Sequence, residues 1–185
     1  MKFQAFCKRL ASQQGRELYT GSLLSLDPGQ TTGWAYFRNC SLVESGQEPT
    51  PDVPAAARFF HDTYFLSVDC RPGQIVIEDY RIYSWRSEHH AWSDLLTNRI
   101  IGCVETLCVV GFDPEDPLPL TKQMAGKGKS FCTDKRLQEW GYYQKGRVHA
   151  RDAIRHGCHY LAFGSGEKYA AQKRHRKATR GQNVG

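Results

Sequence analysis

Three carboxylates and one histidine occupy positions from which they could carry out metal-assisted chemistry. Asp27 ends the apolar run LLSLD and is followed at once by Pro28 and Gly29, and Glu78 ends the apolar run QIVIE. An ionised carboxylate at the end of a buried strand needs a cation or several hydrogen-bond donors, because charge is costly in a low-dielectric interior. A divalent metal ion would supply that cation, so Asp27 and Glu78 are predicted metal ligands.

The segment HARDAIRHGCHYL supplies the third carboxylate and the histidine. In a helix with about 100° between successive residues, one narrow stripe contains His149, Asp152, His156 and His159. The adjoining face is apolar and is expected to pack on the core: Ala150, Ala153, Ile154, Gly157 and Leu161. Arg151 and Arg155 are predicted to point elsewhere, toward solvent or a ligand. The helix can therefore bring His149 and Asp152 against the ends of the two strands.

Three carboxylates and a histidine are suited to Mg²⁺ or Mn²⁺, which prefer oxygen ligands and keep positions open for water and a substrate phosphate. Two such ions about 4 Å apart would activate the attacking water and stabilise the leaving 3′ oxygen in phosphodiester hydrolysis. His149 would serve as a fourth ligand, or would instead position or deprotonate that water. Asp79 neighbours Glu78 but points to the opposite side of the strand, so its predicted role is structural or supporting.

Each of these residues has a simpler explanation when it is taken alone. Asp-Pro-Gly is common in turns, a Glu-Asp pair at a strand end can be solvated, and an acid in the first turn of a helix stabilises the helix dipole. His156 and His159 could also form a zinc pair with Cys158, but no further cysteine pair completes a tetrahedral site. The joint occurrence of the acids, in strand and helix contexts that agree, favours the metal centre.

The elements that must position these residues follow from the spacing of apolar side chains. LLSLD, WAYFRN, SLVESG, QIVIEDY and LCVVGF are predicted strands, with a turn at Asn39 and Cys40 between the second and the third. Helices are predicted from about Pro54 onward, over 88–107, around 133–140 and over 149–163. A meander of strands followed by alternating strands and helices predicts an α/β fold with a mixed central sheet flanked by helices.

Length and charge favour one domain that binds a polyanion. The 185 residues suffice for one ordinary core but not for two. We predict an N-terminal extension of unassigned structure over 1–21, a nuclease domain over 22–165 and a basic tail over 166–185. The net charge is +6, and its excess lies in the last part of the chain, at Lys168, Lys173, Arg174, Arg176, Lys177 and Arg180. This excess indicates a nucleic-acid partner, although a solvated tail with no partner would have the same composition.

Cysteine usage and hydropathy indicate a cytoplasmic protein. The seven cysteines are an odd number with no CxxC spacing, which favours reduced thiols over a disulfide framework or a zinc ribbon. No apolar run approaches the length needed to cross a bilayer, and the first residues contain no continuous apolar core of a signal peptide. We therefore expect no membrane partner.

Three segments resemble the RuvC family of Holliday-junction resolvases. SLLSLDPGQTTGWAYF is similar to the family's first strand and turn, QIVIEDYRIY to its glutamate strand, and HARDAIRHGCHYL to its closing helix. The resemblance implies an RNase H-like fold and a crossover junction endodeoxyribonuclease that uses Mg²⁺ or Mn²⁺, two ions in each active site. It further implies that Asp27, Glu78 and Asp152 bind the metal and that His149 is their catalytic neighbour.

The same resemblance implies DNA contacts and an assembly. LTKQMAGKGKS and DKRLQ look like the family's lysine-bearing stretch, so Lys122 and Lys135 are carried over as phosphate-contacting residues. Other basic residues are expected to make sequence-independent phosphate contacts: Arg81, Arg86, Lys127, Lys129, Lys145, Arg147 and those of the tail. The resemblance implies a homodimer that makes paired nicks across branched DNA. The HARDA ending is most similar to bacteriophage-encoded members, which would act in the cytoplasm of a host cell.

Aromatic residues and other functions leave alternatives open. Tyr80, Tyr83 and Trp85 could stack where DNA strands part, or could simply pack in the core. LDPGQTTGWA also looks like the phosphate-binding turn of actin-like ATPases and sugar kinases, but those proteins need two such domains. A protein that binds branched DNA without cutting it would explain the charge and leave the acids unexplained. An RNase H acting on hybrids, or a terminase-type nuclease, would share strand-borne carboxylates.

Overall fold

A five-stranded mixed sheet forms the centre of the described part of the chain. The structure, a computed structural model, describes residues 1–65, 71–80, 92–111 and 117–164. The strands are β1 (Ser22–Asp27), β2 (Thr31–Arg38), β3 (Ser41–Pro49), β4 (Gln74–Asp79) and β5 (Leu120–Met124). They lie in the order β3-β2-β1-β4-β5, in which β1, β2 and β3 are antiparallel neighbours and β1, β4 and β5 run parallel.

Helices cover both faces of this sheet. They are α1 (Phe3–Gln13), α2 (Val53–Phe60), α3 (Trp92–Val110), α4 (Ala125–Phe131), α5 (Asp134–Trp140) and α6 (Val148–His159). A π-helical turn follows α2 over His61–Phe65, and another follows α6 over Tyr160–Gly164. Within the ranges that the structure describes, no helix has the length and apolar character needed to span a membrane.

Alternation along the strands sends side chains into two separate cores. One core lies between the sheet and helices α2 and α3, and its largest members include Leu24, Leu26, Phe60, Ile77, Leu96 and Ile100. The other lies between the sheet and helices α1, α5 and α6, and includes Phe3, Leu23, Phe37, Val76, Leu137 and Ile154. Because side chains alternate along a strand, Asp27 shares the α6 side with Leu23, and Glu78 shares it with Val76. Both acids therefore face α6, as the sequence predicts.

Two glycines allow α6 to lie directly on β2. A Cβ atom on Gly33 would stand 2.0 Å from the carbonyl oxygen of His149, and one on Gly157 would stand 2.3 Å from the ring of Phe37. Gly33 is also the residue that pairs with Asp27 in the β1-β2 ladder. A hydrogen bond of 2.8 Å from the Ser25 hydroxyl to the Ala153 carbonyl fixes α6 against β1. The position of the helix relative to Asp27 is thus set by backbone contact.

The turn after Asp27 is held by two threonines. Thr50 donates its hydroxyl to the carbonyl of Gly29 at 2.6 Å, and the hydroxyls of Thr32 and Thr50 lie 2.7 Å apart. The amide of Thr50 also donates to the carbonyl of Gln30 at 2.8 Å. Both threonine side chains are buried. These bonds satisfy the polar groups of the turn and fix the direction in which the chain leaves β1.

Most predicted elements are confirmed, with one error among the strands. The first four predicted strands correspond to β1 to β4, and the turn at Asn39 and Cys40 has φ of 52° and 58°. The prediction of a strand in LCVVGF is wrong, because residues 107–110 form the end of α3. A short run of apolar residues fits a strand as well as a helix. In the structure Cys108 belongs to the buried face of α3, while Val109 and Val110 are exposed. The fifth strand is LTKQM instead, a polar edge strand with no apolar run.

The first residues contain a helix that the sequence left unassigned. Phe3, Cys7 and Ala11 of α1 are buried, and the Phe3 ring lies 4.7 Å from that of Trp140, measured between centroids. Residues 1–21 therefore contribute side chains to the core on the α6 side. The limits of the predicted nuclease domain remain a prediction, and the basic tail over 166–185 lies outside the described residues.

The six described cysteines are free thiols. Cys7, Cys40, Cys132 and Cys158 are fully buried in the core on the α6 side. A contact with the Cys40 thiol, together with burial, raises the pKa of Cys7, and burial raises the pKa of Cys108 to about 12. These thiols therefore behave as apolar core groups. Cys70 lies outside the described residues.

We predict that Gly33→Ala destabilises the protein by at least about 2 kcal/mol, because overpacking a tight contact typically costs 1–3 kcal/mol and this contact involves backbone. Gly102→Ala is the matched control, because Gly102 lies in α3 and has open space around it. Its expected effect is a gain of up to about 1 kcal/mol from helix propensity. Urea-induced unfolding measures both, and a Gly33→Ala protein as stable as the wild type would contradict the close approach of α6.

Candidate active site

A row of polar side chains crosses the sheet on its α6 side. Glu78 of β4 is paired in register with Gln123 of β5, and the pair Leu26 and Ile77 places Asp27 next to Glu78 across the parallel strands. Asp27 and Gln123 are buried, and Glu78 is half-buried. Three neighbouring strands thus deliver two carboxylates and an amide to one edge of the sheet.

One face of α6 lies over this row. His149 Nδ1 is 2.9 Å from Asp27 Oδ2, and His156 Nε2 is 2.8 Å from Glu78 Oε2. The two histidines are seven residues apart, which is about two helical turns, so they lie on the same face. Asp152 lies between them in sequence on that face and is buried. The predicted stripe is therefore correct in bringing His149 and Asp152 to the strand ends.

His156 joins Glu78 to the edge strand and is a functional residue that the sequence did not assign to the site. Gln123 Nε2 lies 3.0 Å from His156 Nδ1. An amide nitrogen only donates, so Nδ1 accepts and the ring proton is on Nε2, where it is donated to Glu78. His156 is thus a buried ring with both nitrogens hydrogen-bonded. Its place on the stripe was a usable signal, whereas Gln123 could not be found without recognising β5.

Asp152 is held by two cations. Arg155 donates from Nη1 to Asp152 Oδ1, and Lys129 Nζ lies 3.0 Å from Asp152 Oδ2. Arg155 also contacts Asp134 of α5 and donates from Nε to the Cys132 carbonyl at 2.9 Å. The prediction that Arg155 points away from the site is therefore wrong. A spacing of three residues on a helix puts Arg155 beside Asp152, and that signal was present in the sequence.

Neighbouring carboxylates shift the pKa values of Asp27 and Glu78. Burial raises the pKa of Asp27, and the negative charges of Glu78 and Asp152 raise it further, while the hydrogen bond with His149 acts in the opposite direction. Burial also acts to raise the pKa of Glu78, but hydrogen bonds with His156 and Asp27 outweigh it and the pKa is lowered. Asp27 and Glu78 thus lie on neighbouring strands close enough for each to affect the pKa of the other, and Asp152 is close enough to influence Asp27.

The charges of His149 and Lys129 respond to the same cluster. The hydrogen bond with Asp27 raises the pKa of His149. Burial alone would lower the pKa of Lys129, but Asp152, Glu78 and Asp27 together raise it. We refer to Asp27, Glu78 and Asp152 as the acid cluster. All three members of the acid cluster raise the pKa of Lys129.

The acid cluster is chemically suited to a hard divalent ion. Carboxylate oxygens are the ligands that Mg²⁺ and Mn²⁺ prefer, and β1, β4 and α6 each bring one carboxylate to the same region of the sheet. Within residues 1–65, 71–80, 92–111 and 117–164, no three His, Cys, Asp or Glu side chains stand closely enough to hold a metal ion as they are arranged. Each acid instead touches a cationic or polar protein group. Small side-chain movements would be needed to turn the cluster into a ligand set.

The zinc alternative is not supported by the positions of its residues. The His159 ring packs against Phe131 and Phe163, at centroid distances of 6.0 and 5.1 Å, whereas His156 faces Glu78. Cys158 is buried in the apolar core. The two histidines therefore point to different surroundings and do not form a ligand pair.

The predicted DNA-contacting residues have varied surroundings. Lys122 of β5 forms an ion pair of 2.8 Å with Glu105 of α3, and Lys129 contacts Asp152. The remaining described members are exposed: Lys127, Lys135, Lys145 and Arg147. Arg81, Tyr83, Trp85, Arg86 and the basic residues of the tail lie outside the described residues.

Comparison with solved structures identifies the fold. No model of a known protein family matches this sequence, and no curated protein matches it. T. thermophilus RuvC in complex with a Holliday junction substrate is similar, with a TM-score of 0.59 and 13% identity over 78% of this chain and 95% of that one. Thermus thermophilus RuvC in another structure gives a TM-score of 0.53 at 14% identity over the same shares of the two chains. The yeast mitochondrial Holliday junction resolvase Ydc2 gives 0.51 at 11% identity, over 98% of this chain and 99% of that one.

At these identities the likeness shows the fold, which is α/β and RNase H-like, with a mixed sheet flanked by helices.

We predict that Arg155→Gln destabilises the protein by about 3 kcal/mol, because it removes one partner of a buried ion pair. The Arg155 and Asp152 side chains are 12% and 9% exposed. Asp134→Asn is the matched control, because it removes the half-exposed partner of the same arginine and should cost no more than about 1 kcal/mol. Urea unfolding measures both changes, and equal losses would show that Arg155 does not act through Asp152.

Proposed function

We propose that this chain is a divalent-metal-dependent endonuclease that cleaves branched DNA, with four-way junctions as its main substrate. Asp27, Glu78 and Asp152 are the proposed ligands of Mg²⁺ or Mn²⁺, in a centre that takes two ions. His149 is the proposed catalytic neighbour. The observation that carries the proposal is that β1, β4 and α6 bring three carboxylates together, with Asp27 beside Glu78 on neighbouring strands and Asp152 on the helix whose histidines contact both.

Asp27 and His149 would have separate roles in the proposed hydrolysis. A bound divalent ion supplies positive charge that makes water more nucleophilic and stabilises the negative charge developing on the leaving 3′ oxygen. Asp27, when ionised, can only accept a hydrogen bond, so it holds the proton of His149 on Nδ1. Nε2 of His149 is then the nitrogen that can take a proton from the attacking water. The contact with Asp27 raises the pKa of His149, which makes that nitrogen a stronger base.

Glu78 and Asp152 are positioned by groups that do not need to touch DNA. His156 and Gln123 form a chain of hydrogen bonds that fixes one oxygen of Glu78. Arg155 fixes one oxygen of Asp152 and is itself braced by Asp134. Such outer contacts hold ligands in a productive orientation. Glu78 thus keeps a second oxygen for the centre, and the second oxygen of Asp152 is the one that Lys129 contacts.

Branched DNA is favoured as the substrate by fold likeness and by charge. The solved structures most useful for comparison are those of RuvC with a Holliday junction substrate and of the resolvase Ydc2. The chain carries a net charge of +6, as expected for a protein that binds phosphates. Arg147 and Lys145 are exposed just before α6, close in sequence to His149. We further propose a homodimer, because paired nicks across a symmetric junction need two centres, and a bacteriophage origin with action in the host cytoplasm.

We predict that the purified chain nicks synthetic four-way junctions only when Mg²⁺ or Mn²⁺ is present. Glu78→Gln should reduce the cleavage rate at least about 100-fold, since loss of a group that merely supports a ligand already costs 10–100-fold. Asp79→Asn is the matched control, because Asp79 follows on the same strand and faces the other side of the sheet. It should retain cleavage.

The substrates compared are a four-way junction, a fork, an RNA-DNA hybrid and plain duplex. Cleavage confined to the hybrid would replace the proposal with an RNase H function. Binding of junctions with no cleavage under either metal would leave a DNA-binding protein. Cleavage by Glu78→Gln at the wild-type rate would remove Glu78 from the centre.

We predict that affinity for the junction falls steeply as salt rises, because phosphate contacts release counterions. Arg147→Ala and Lys135→Ala should each weaken binding and reduce the slope of log affinity against log salt by about 1. Lys8→Ala is the control, because Lys8 is exposed on α1, and α1 packs near the amino end of β1, where Gln4 bonds the Asn39 carbonyl. Filter binding or fluorescence anisotropy gives the slopes, and a flat response for the wild type would contradict phosphate recognition.

A further inference from the structure

Lys129 contacts the acid cluster from α4, and the function proposed above gives it no part in the chemistry. We infer that Lys129 is a tethered counter-ion that occupies the Oδ2 side of Asp152 and is displaced when a divalent ion binds there. The inference rests on the proposed metal-dependent function. It adds a residue that controls how tightly the centre binds its ions.

The geometry places the ammonium of Lys129 at the open side of a buried carboxylate. Nζ lies 3.0 Å from Asp152 Oδ2, and the Lys129 side chain is 54% exposed while that of Asp152 is 9% exposed. The ammonium is also attracted by Glu78 and Asp27. Lys129 thus stands where solvent, ions and substrate reach the cluster.

The backbone brings Lys129 to this position. A Cβ atom on Gly128 would lie 3.3 Å from the Arg155 carbonyl carbon and 3.3 Å from the His156 amide nitrogen. Helix α4 therefore lies close to the backbone of α6 at Arg155 and His156, about one turn after Asp152, and the next residue of α4 is Lys129. The position of Lys129 near Asp152 therefore follows from the packing of α4 on α6.

The two cations on Asp152 are bound very differently. Arg155 is 12% exposed, contacts Oδ1, and is fixed at the same time by Asp134 and the Cys132 carbonyl. Lys129 contacts Oδ2, and about half of its flexible side chain is exposed to solvent. An arginine held in three contacts stays in place, whereas a lysine ammonium exchanges readily. Oδ2 is therefore the oxygen that Asp152 can give to a metal ion.

Competition for Oδ2 has a measurable consequence. An ammonium and a divalent ion on the same carboxylate oxygen would repel each other strongly at such short range, so we expect binding of the ion to release Lys129. Removing the competitor should tighten ion binding, by roughly ten-fold if the coupling lies within the usual range of 5- to 150-fold between linked binding events. The released ammonium can then meet a phosphate group of the DNA.

The test measures Mn²⁺ binding to the full-length chain without DNA, by isothermal titration calorimetry and by the rise in Tm that Mn²⁺ causes. Lys129→Gln is expected to bind Mn²⁺ roughly ten-fold more tightly than the wild type, with a lower Tm in the absence of the ion. Lys129→Arg keeps the charge and should remain within about three-fold of the wild type. Lys8→Gln is the matched control, because it removes the charge of an exposed lysine on α1, away from the acid cluster, and should not change the affinity.

The outcomes separate this inference from the proposed function. If the wild type binds Mn²⁺ and loses that binding in Asp27→Asn, while Lys129→Gln binds no more tightly than Lys8→Gln, the counter-ion role is wrong and the metal centre stands. If the wild type and Asp27→Asn bind Mn²⁺ equally, or neither binds it, the proposed metal centre itself is wrong. Weaker binding by Lys129→Gln would also overturn the counter-ion role, since it would make Lys129 a support for the ions.

Discussion

The distance between α6 and the sheet is the constraint on which the candidate site depends. It is set by contact of backbone with backbone at Gly33 and by contact of Gly157 with the Phe37 ring. Hydrogen bonds of 2.8–2.9 Å between α6 and the strand ends require this short separation. A helix pushed out by one methyl group would leave two buried carboxylates without their histidine partners, and an unpaired buried charge is costly. The same closeness therefore serves both stability and chemistry.

Helix α6, placed in this way, contacts one carboxylate oxygen of each acid. His149, His156 and Arg155 each take one oxygen of Asp27, Glu78 and Asp152 respectively. These contacts determine rotamers before any substrate arrives, which is the preorganisation that ion-assisted hydrolysis requires. Lys129 differs from these three groups because it comes from α4 and remains half in solvent. Three side chains of α6 therefore fix the acid cluster, whereas α4 contacts it through the half-exposed side chain of Lys129.

The sequence predicted the parts of this arrangement that depend on local periodicity. The apolar runs put Asp27 and Glu78 at the ends of two strands, alternation put Asp79 on the opposite side of the strand from Glu78, and helical spacing brought His149 to the strand ends. β5 was missed because an edge strand needs no apolar run, and with it Gln123 was missed as the partner of His156. The α3 ending was mistaken for a strand because four apolar residues fit either periodicity. The contacts of Arg155 with Asp134 and the Cys132 carbonyl depend on tertiary packing, which spacing along the chain does not reveal.

The charge balance of the cluster argues against a purely structural ion-pair network. Asp27, Glu78, Asp152 and Asp134 carry four carboxylates, against which stand the two permanent cations Arg155 and Lys129. By the same formal count that gives the chain a net charge of +6, in which histidines are counted as neutral, these six side chains carry two net negative charges. A network selected for stability alone would gain by replacing buried ions with apolar groups. A formal surplus of two negative charges in a chain that is basic as a whole is what a site needs if it must attract divalent ions and a polyanion to the same place.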